Sequence, residues 1–241
     1  MNRLKSSGKI LVALITVTAF LAFNQNIKTG AGVKSINTLL PNALHSIKLD
    51  TTSFDVVEII QTVKDYAVWR PYFDSDSAVR NQSGLHTVAV AKNIDSTNNI
   101  IVVLKIDDLA KAKTFAADPR LKDVMQKAGV ISKPDISFWH VIRMNPDSHE
   151  KQSVIITHRV KDFDAWVKVF DKEGKDARAS QGLYDVVLLR GIEDPNMVQL
   201  VFDIKDVAQA KASIYSDDKK KLMMSAGVQG KPTVAFYTDA D

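Results

Sequence analysis

A single histidine is a candidate for chemistry because it interrupts an otherwise apolar strand pattern. In the segment SVIITHRV, residues 153–160, alternation places His158 on the face that carries the branched apolar side chains. The helical segment that follows carries Trp166 and Phe170, four residues apart. An imidazole beside an aromatic wall could take a proton from a phenol or an enol near neutral pH. We predict His158 as a catalytic acid/base, and the alternative is a core histidine that hydrogen-bonds to one neighbour.

Two arginines occupy equivalent places near the end of a helical stripe. Arg178 and Arg80 each lie four residues before a glycine. A guanidinium there could hold a carboxylate or a phenolate through paired hydrogen bonds, so Arg178 is predicted to act in catalysis as an anion clamp. The alternative is an arginine whose stem covers apolar surface and whose head interacts with the helix C-terminus.

Aromatic residues of the same region predict the walls of a ligand pocket. Trp166 and Phe170 would line it, and Tyr184, early in the next strand, could lie at its mouth. His86 occupies the position equivalent to Tyr184 in the first half of the chain. At this spacing Trp69 and Trp166 are also typical core residues, which is the alternative for both.

The sequence contains no cofactor motif and no metal-site pattern. There is no cysteine, and no two histidines have a helical or strand spacing suited to a metal. Glycine-rich phosphate loops, G-x-S-x-G, H-E-x-x-H and the dinucleotide fingerprint are all missing. The net charge of +4 is spread among acidic residues, and the run 219–221 follows two aspartates, which is typical of a solvated helix face. We predict a small-molecule ligand, no metal, no cofactor and no nucleic-acid partner.

The elements that must position these residues occur twice in the chain. The phrase VKDYAVWRPYFD, residues 63–74, recurs as VKDFDAWVKVFD, residues 160–171, at an offset of 97 that later becomes 98. The second copy therefore holds one inserted residue, which falls before Arg178. Two diverged copies of one unit account for residues 54–142 and 153–241, joined by a linker at 143–152.

The pattern of each copy predicts the order strand, helix, strand, strand, helix, strand, which is that of a ferredoxin-like βαββαβ unit. In the second copy Asp162 caps a helix whose apolar stripe we predict to run from Phe163 to Ala177. In the first copy Pro71 falls inside the same helix and predicts its partial loss. Gln61 stands where the second copy has His158, so the second copy is predicted to carry the functional pocket.

The predicted strands are apolar on both faces, although helices cover only one face of a ferredoxin-like sheet. The other face needs a partner sheet, and the second copy is the available partner. The predicted fold class is therefore α+β, with two ferredoxin-like units packed sheet to sheet as an intramolecular dimeric α/β barrel. Such a chain is expected to be a monomeric pseudo-dimer.

The N-terminal segment predicts export. Residues 1–23 combine the charged leader MNRLKSSGK with the apolar run ILVALITVTAFLAF, which is short for a membrane span of about 20 residues. No small-residue cleavage site follows, so an uncleaved anchor stays open, and membrane contact is expected only through this segment. Residues 24–53 read as a linker with a short helix near 35–40. We predict an exported, periplasmic protein.

The repeated phrase also carries a family resemblance. V-K-D-aromatic-x-x-W-x-x-x-F-D, followed by Arg-x-x-x-Gly and A-G-V-x-x-x-P, resembles the dimeric α/β-barrel proteins grouped with antibiotic-biosynthesis and haem-degrading monooxygenases. The resemblance covers both copies but not residues 1–53. It implies a barrel of two ferredoxin-like units with ligand pockets between each sheet and its helices.

Two functions remain open at this point. The first is an exported small-molecule-binding barrel, in its enzymatic form a cofactor-independent monooxygenase that acts on a planar oxidisable compound. The second is a non-catalytic binding or structural module of the cell envelope. The loss of the histidine from the first copy favours the second function.

Overall fold

The computed structural model of the chain describes residues 53–145 and 150–240. The predicted export signal at 1–23, and the short helix predicted near 35–40, lie outside the described residues. Within the described ranges no helix is long and apolar enough to cross a membrane.

Each unit contains four strands and four helices in the same order. The first unit comprises β1 (Phe54–Thr62), α1 (Tyr66–Ser75), α2 (Ser77–Gln82), β2 (Leu85–Asn93), β3 (Asn99–Ile106), α3 (Leu109–Ala116), α4 (Pro119–Lys127) and β4 (Asp135–Met144). The second comprises β5 (Gln152–Val160), α5 (Phe163–Glu173), α6 (Lys175–Ser180), β6 (Tyr184–Gly191), β7 (Met197–Ile204), α7 (Val207–Ile214), α8 (Asp217–Ser225) and β8 (Val228–Asp239). Because β4 reaches Met144 and β5 begins at Gln152, the connection between the units is shorter than the predicted linker.

Short polar side chains fix where six of the helices begin. Each accepts a hydrogen bond from a free backbone N–H of the first helical turn, which the helix cannot satisfy internally. These caps are Asp65, Asp108, Asp118, Asp162, Asp206 and Ser216. The cap that the sequence predicts at Asp162 is thereby confirmed.

Two predictions about the first helix of each unit are wrong. The stripe that begins at Phe163 does not reach Ala177, because α5 ends at Glu173. The next residue, Gly174, adopts a φ of 82° and caps the helix. Ala177 lies on the separate helix α6. Pro71 does not shorten α1, which runs through it from Tyr66 to Ser75. A proline removes one backbone hydrogen bond, and the packing of Trp69 and its neighbours on the sheet offsets that loss.

The eight strands form one closed antiparallel barrel in the order β1-β3-β2-β8-β5-β7-β6-β4. The units therefore meet at two seams, β2 with β8 and β4 with β6. At one seam Lys92 pairs with Thr238, and at the other Arg190 pairs with His140. These pairs are related by the offset of 98, so the barrel has an internal pseudo-twofold symmetry.

The two faces of the strands serve different cores. On the outer face, apolar clusters lie between sheet and helices within each unit, as around Val154 and Trp166 in the second unit. On the inner face, clusters contain residues of both units, as where Ala91 and Ile101 pack with Tyr237. This confirms that each unit supplies the cover for the other unit's second apolar face.

Candidate functional site

A cavity of about 60 Å³ opens between sheet and helices of the second unit. Strands β5 and β7 lie along one side, and helices α5, α7 and α8 contribute the other side. A single water needs roughly 10–15 Å³ by this measure, so the cavity admits a group about as large as one aromatic ring. Four of the five predicted site residues line it: His158, Trp166, Phe170 and Arg178.

His158 is buried in the cavity wall and lacks a hydrogen-bond partner. The residue is only 4% exposed, and neither Nδ1 nor Nε2 has a hydrogen-bond partner among the described residues. Burial lowers the pKa of His158 to about 4, so the ring is neutral at physiological pH. A neutral imidazole offers one N–H and one acceptor nitrogen, and leaving both unmatched costs about 1–3 kcal/mol for each group. The alternative of a histidine hydrogen-bonded to one neighbour is therefore not what this part of the chain shows.

Two stacked rings form the aromatic wall beside the histidine. Trp166 and Phe170 lie one turn apart on α5 and stack with ring centroids 5.2 Å apart and an interplanar angle of 17°. The His158 ring is tilted by 60° against Trp166, at 5.5 Å between centroids. Trp166 is at once a core residue and a lining residue, so the two readings of this tryptophan are compatible.

Arg178 lines the cavity, but its bidentate edge is already occupied. Nε donates to Asp185 at 2.8 Å and Nη2 donates to the same carboxylate at 2.6 Å. Nη1 donates to the backbone carbonyl of Phe170 at 2.7 Å, in the last turn of α5, and the guanidinium lies 3.7 Å from the Phe170 ring centroid. The predicted anion clamp is thus engaged within the protein. The geometry matches the alternative of an arginine that fastens the helix C-terminus.

Tyr184 does not line this cavity, contrary to prediction. Its neighbour Leu183, the residue immediately before β6, does, and successive side chains of an extended segment point to opposite faces. The Tyr184 ring instead lies under the ammonium group of Lys205, at 5.0 Å. The equivalent His86 lies at the surface, with Nε2 2.8 Å from the carboxylate of Asp107.

Sequence reasoning missed a charge pair at the cavity. Glu173, at the end of α5, forms a short ion pair with Lys219 of α8, and each side chain is only 13% exposed. A second carboxylate oxygen of Glu173 lies 3.5 Å from Arg178. The run 219–221 was expected to be a solvated face, which holds for Lys220 and Lys221 but not for its first member. Lysine composition gives no signal for this difference, since only the position of α8 against α5 decides it.

The first unit repeats the scaffold of the site. Trp69 and Phe73 stack at 4.9 Å between centroids, and Arg80 donates to the carbonyl of Phe73 at 2.5 Å. Gln61, the counterpart of the histidine, is equally buried, and its Oε1 has no partner among the described residues.

The first unit lacks the charged partners of the second. Thr87 stands in place of the carboxylate that holds the arginine, and Leu121 stands in place of the lysine of α8. As a result the Nε of Arg80 is buried without a partner in this part of the chain. Within the described ranges, no group of three or more histidine, aspartate or glutamate side chains could hold a metal ion.

Comparisons by sequence identify no relative. No protein-family model matches the chain, and no curated protein matches it.

Comparisons by structure identify the fold. An anthrone oxidase-like protein is similar with a TM-score of 0.53 and 14% identity, over 80% of this chain and 93% of its own. A proposed chlorite dismutase gives 0.52 and 13%, over 78% and 95%. A proposed monooxygenase from Fusobacterium nucleatum gives 0.50 and 11%, over 78% and 93%. The chain therefore has the fold of the dimeric α/β-barrel, monooxygenase-like proteins, with two ferredoxin-like units in a single chain.

Proposed function

We propose that the cavity of the second unit binds a planar, oxidisable organic molecule and that His158 is its hydrogen-bonding partner. The observation that carries this proposal is a buried imidazole with two unpartnered nitrogens in the wall of an aromatic cavity. Native proteins pair nearly all their buried polar groups, so two unpaired atoms on one ring call for a missing partner. A ligand hydroxyl or carbonyl supplies that partner.

The cavity restricts what the ligand can be. Its volume suits one ring, with the remainder of a larger molecule at the mouth. A neutral imidazole binds a phenol, an enol or a ketone, because it can both donate and accept a hydrogen bond. Glu173 and Lys219 neutralise each other, so the site has no need of a charged ligand.

Two naphthalene probes test this proposal, since 1-naphthol and 1-methylnaphthalene differ only by a hydroxyl in place of a methyl group. Binding is measured through quenching of tryptophan fluorescence. We expect the naphthol to bind roughly tenfold more tightly, which corresponds to about 1.4 kcal/mol. The variant His158→Leu should abolish this preference, whereas the control Gln61→Leu should keep it. Equal affinity of the original protein for both probes would remove the role of His158.

The enzymatic form of the proposal is a cofactor-independent monooxygenase reaction. The imidazole would take the proton of a bound phenol or enol, and the resulting anion would react with O₂. One oxygen atom would enter the ring to give a quinone, the other would leave as water, and the substrate would supply all four electrons. Arg178 would act by holding Phe170 in position. The pKa of about 4 makes His158 a weak base until a bound anion stabilises its protonated form. Oxygen uptake in the presence of 1-naphthol tests this form. Binding without uptake would favour the alternative, a non-catalytic binding or structural module of the envelope.

Export completes the proposal. A protein with this leader would leave the cytoplasm and act in the periplasm as a monomeric pseudo-dimer. Cell fractionation and N-terminal sequencing of the recovered protein test the location and the cleavage. Removal of residues 1–23 should retain the protein in the cytoplasm, in soluble form.

A further inference from the structure

A buried carboxylate lies on the inner face of the barrel, away from the cavity. Glu58 of β1 is 5% exposed and accepts a hydrogen bond from Nε2 of Gln199 at 3.1 Å. Gln199 belongs to β7, so the bond joins the two units across 141 residues of sequence. The same amide nitrogen lies 3.2 Å from Oγ1 of Thr157, the neighbour of Gln199 across β5 and β7. Two buried polar groups and the partly buried hydroxyl of Thr157 thus form one network between the units.

Each member of this network is replaced by isoleucine in the other copy. Ile155 is the counterpart of Glu58, Ile101 that of Gln199, and Ile60 that of Thr157. The three isoleucines lie together in the inner cluster around Ala91 and Tyr237. One side of the pseudo-twofold axis therefore carries a polar contact, and the symmetry-related side carries an apolar one.

This asymmetry matters for the choice of partner. In a barrel of two first units, Glu58 of each copy would face the partner's isoleucine at position 101, and a buried carboxylate would lose its donor. In a barrel of two second units, Gln199 would face the isoleucine at position 155. A buried polar group opposite an apolar one is disfavoured because its hydrogen bond to water is lost without replacement. Buried polar residues fix partner and register in coiled coils by the same principle.

We propose that Glu58, Gln199 and Thr157 make the inner faces of the two units a matched interaction surface whose partner is the unlike unit. The network favours the barrel closed within one chain over pairing with the like unit of a second chain. The three residue pairs of the β2–β8 seam have the same register as their counterparts in the β4–β6 seam, so these pairs alone do not distinguish the two arrangements.

A symmetrised variant tests this proposal. Glu58→Ile, Thr157→Ile and Gln199→Ile together give both sides of the barrel the same apolar contact. The original protein and the variant are unfolded, refolded at low and at high protein concentration, and sized by sedimentation. We expect the original protein to sediment as one chain at both concentrations. The variant should form two-chain and larger species at high concentration. The control Glu58→Gln retains a polar partner for Gln199 and should behave as the original protein does.

Disulfide trapping shows which units have paired. The chain contains no cysteine, and residues paired across a seam lie within the distance of about 4.4–6.8 Å between Cα atoms that a disulfide allows. Lys92→Cys with Thr238→Cys traps unlike units, and Lys92→Cys with His140→Cys traps like units of two chains. In the symmetrised background the second pair should give covalent dimers, and in the original background it should not.

Two results would overturn the proposal. One is a symmetrised variant that stays monomeric and gives no covalent dimer with the second cysteine pair. The other is an original protein that forms like-unit dimers as readily as the variant. If the symmetrised variant does not fold, Gln199→Glu replaces it as the test. At pH 8 this variant should form two-chain species on refolding, and the addition of Glu58→Gln should restore the single-chain species. Failure of that restoration would equally contradict the proposal.

Discussion

The helix-covered sites of the two units share a scaffold and differ in their polar groups. Both have a stacked tryptophan and phenylalanine, and both have an arginine over the phenylalanine ring, 3.7 Å from its centroid. Only the second unit adds an imidazole, a carboxylate for the arginine and a lysine at the cavity. The comparison teaches that packing residues persist in both copies because the barrel needs them twice. The groups suited to a ligand are concentrated in one copy.

The largest effect should follow from removing one side of the comparison. Residues 153–241 expressed alone would expose the inner face of their sheet, which the first unit covers in the whole chain. We expect this fragment to dimerise or aggregate, because large exposed apolar patches drive association. Sedimentation of the fragment checks this, with the whole chain as control. A well-behaved monomeric fragment would refute the need for a partner sheet.

His158→Gln gives the second unit the residue of the first and should change the dependence of stability on pH. The pKa of His158 is lowered from 6.5 to about 4 by burial, so the unfolded chain binds a proton that the folded chain refuses. The folded state should therefore lose up to about 3 kcal/mol relative to the variant as the pH falls from 6.5 to 4. Urea unfolding of both proteins across this range measures the difference. If the free energies of unfolding of the two proteins change with pH in the same way, His158 does not titrate as a buried group.

Glu58→Gln should have the opposite dependence on pH. Burial, the largest cause, raises the pKa of Glu58 from 4.5 to about 7, while the hydrogen bond from Gln199 lowers it and the charge of Asp135 raises it further. The folded chain keeps a proton that the unfolded chain releases, so stability falls as the pH rises from 4.5 to 7. Relative to the original protein, the variant should gain up to about 3 kcal/mol by pH 8 and nothing at pH 4. Urea unfolding of both proteins at the two pH values checks this. A difference in unfolding free energy that does not change with pH would contradict it.

Matched arginine variants sharpen the comparison further. Arg178→Ala removes a guanidinium held by a carboxylate and leaves Asp185 without that partner. We expect a loss of about 2–3 kcal/mol, since Asp185 is partly exposed and water replaces some of the interaction. Arg80→Ala removes a guanidinium whose Nε already lacks a partner, and the loss should be nearer about 1 kcal/mol. Chemical unfolding of both variants gives the difference, and equal losses would show that Asp185 contributes nothing.

Local patterns in the sequence were enough to predict much of the fold. The repeat predicted two like units, period-two alternation predicted which face of β5 lies under the helices, and Asp162 predicted where α5 begins. The effect of Pro71 was wrong because one lost backbone hydrogen bond was weighed without the tertiary packing that keeps α1 helical. The site could be predicted only in part, for a related reason. Contacts such as those of Lys219 and Asp185 depend on where α8 and β6 lie in space.

The misplacement of Tyr184 has a different cause. Its neighbour Leu183 is fully buried in the cavity wall, and strand alternation then directs Tyr184 to the other face. That inference needed the position of only one side chain. The inner-face network was also visible as isolated polar residues, Glu58 in FDVVEIIQT and Gln199 in MVQLVFDI. Their hydrogen bond was not, because the register between units comes from closure of the barrel.

The central claim is that His158 serves a ligand in the second unit, and a paired measurement tests it most directly. His158→Ala and Gln61→Ala are compared for thermal unfolding and for binding of 1-naphthol. We predict that His158→Ala weakens binding by roughly tenfold and changes stability little, because it removes polar atoms that have no protein partner. Gln61→Ala should leave binding unchanged. If His158→Ala instead lowers stability by about 1–3 kcal/mol while binding stays intact, the histidine is a core residue and the claim fails.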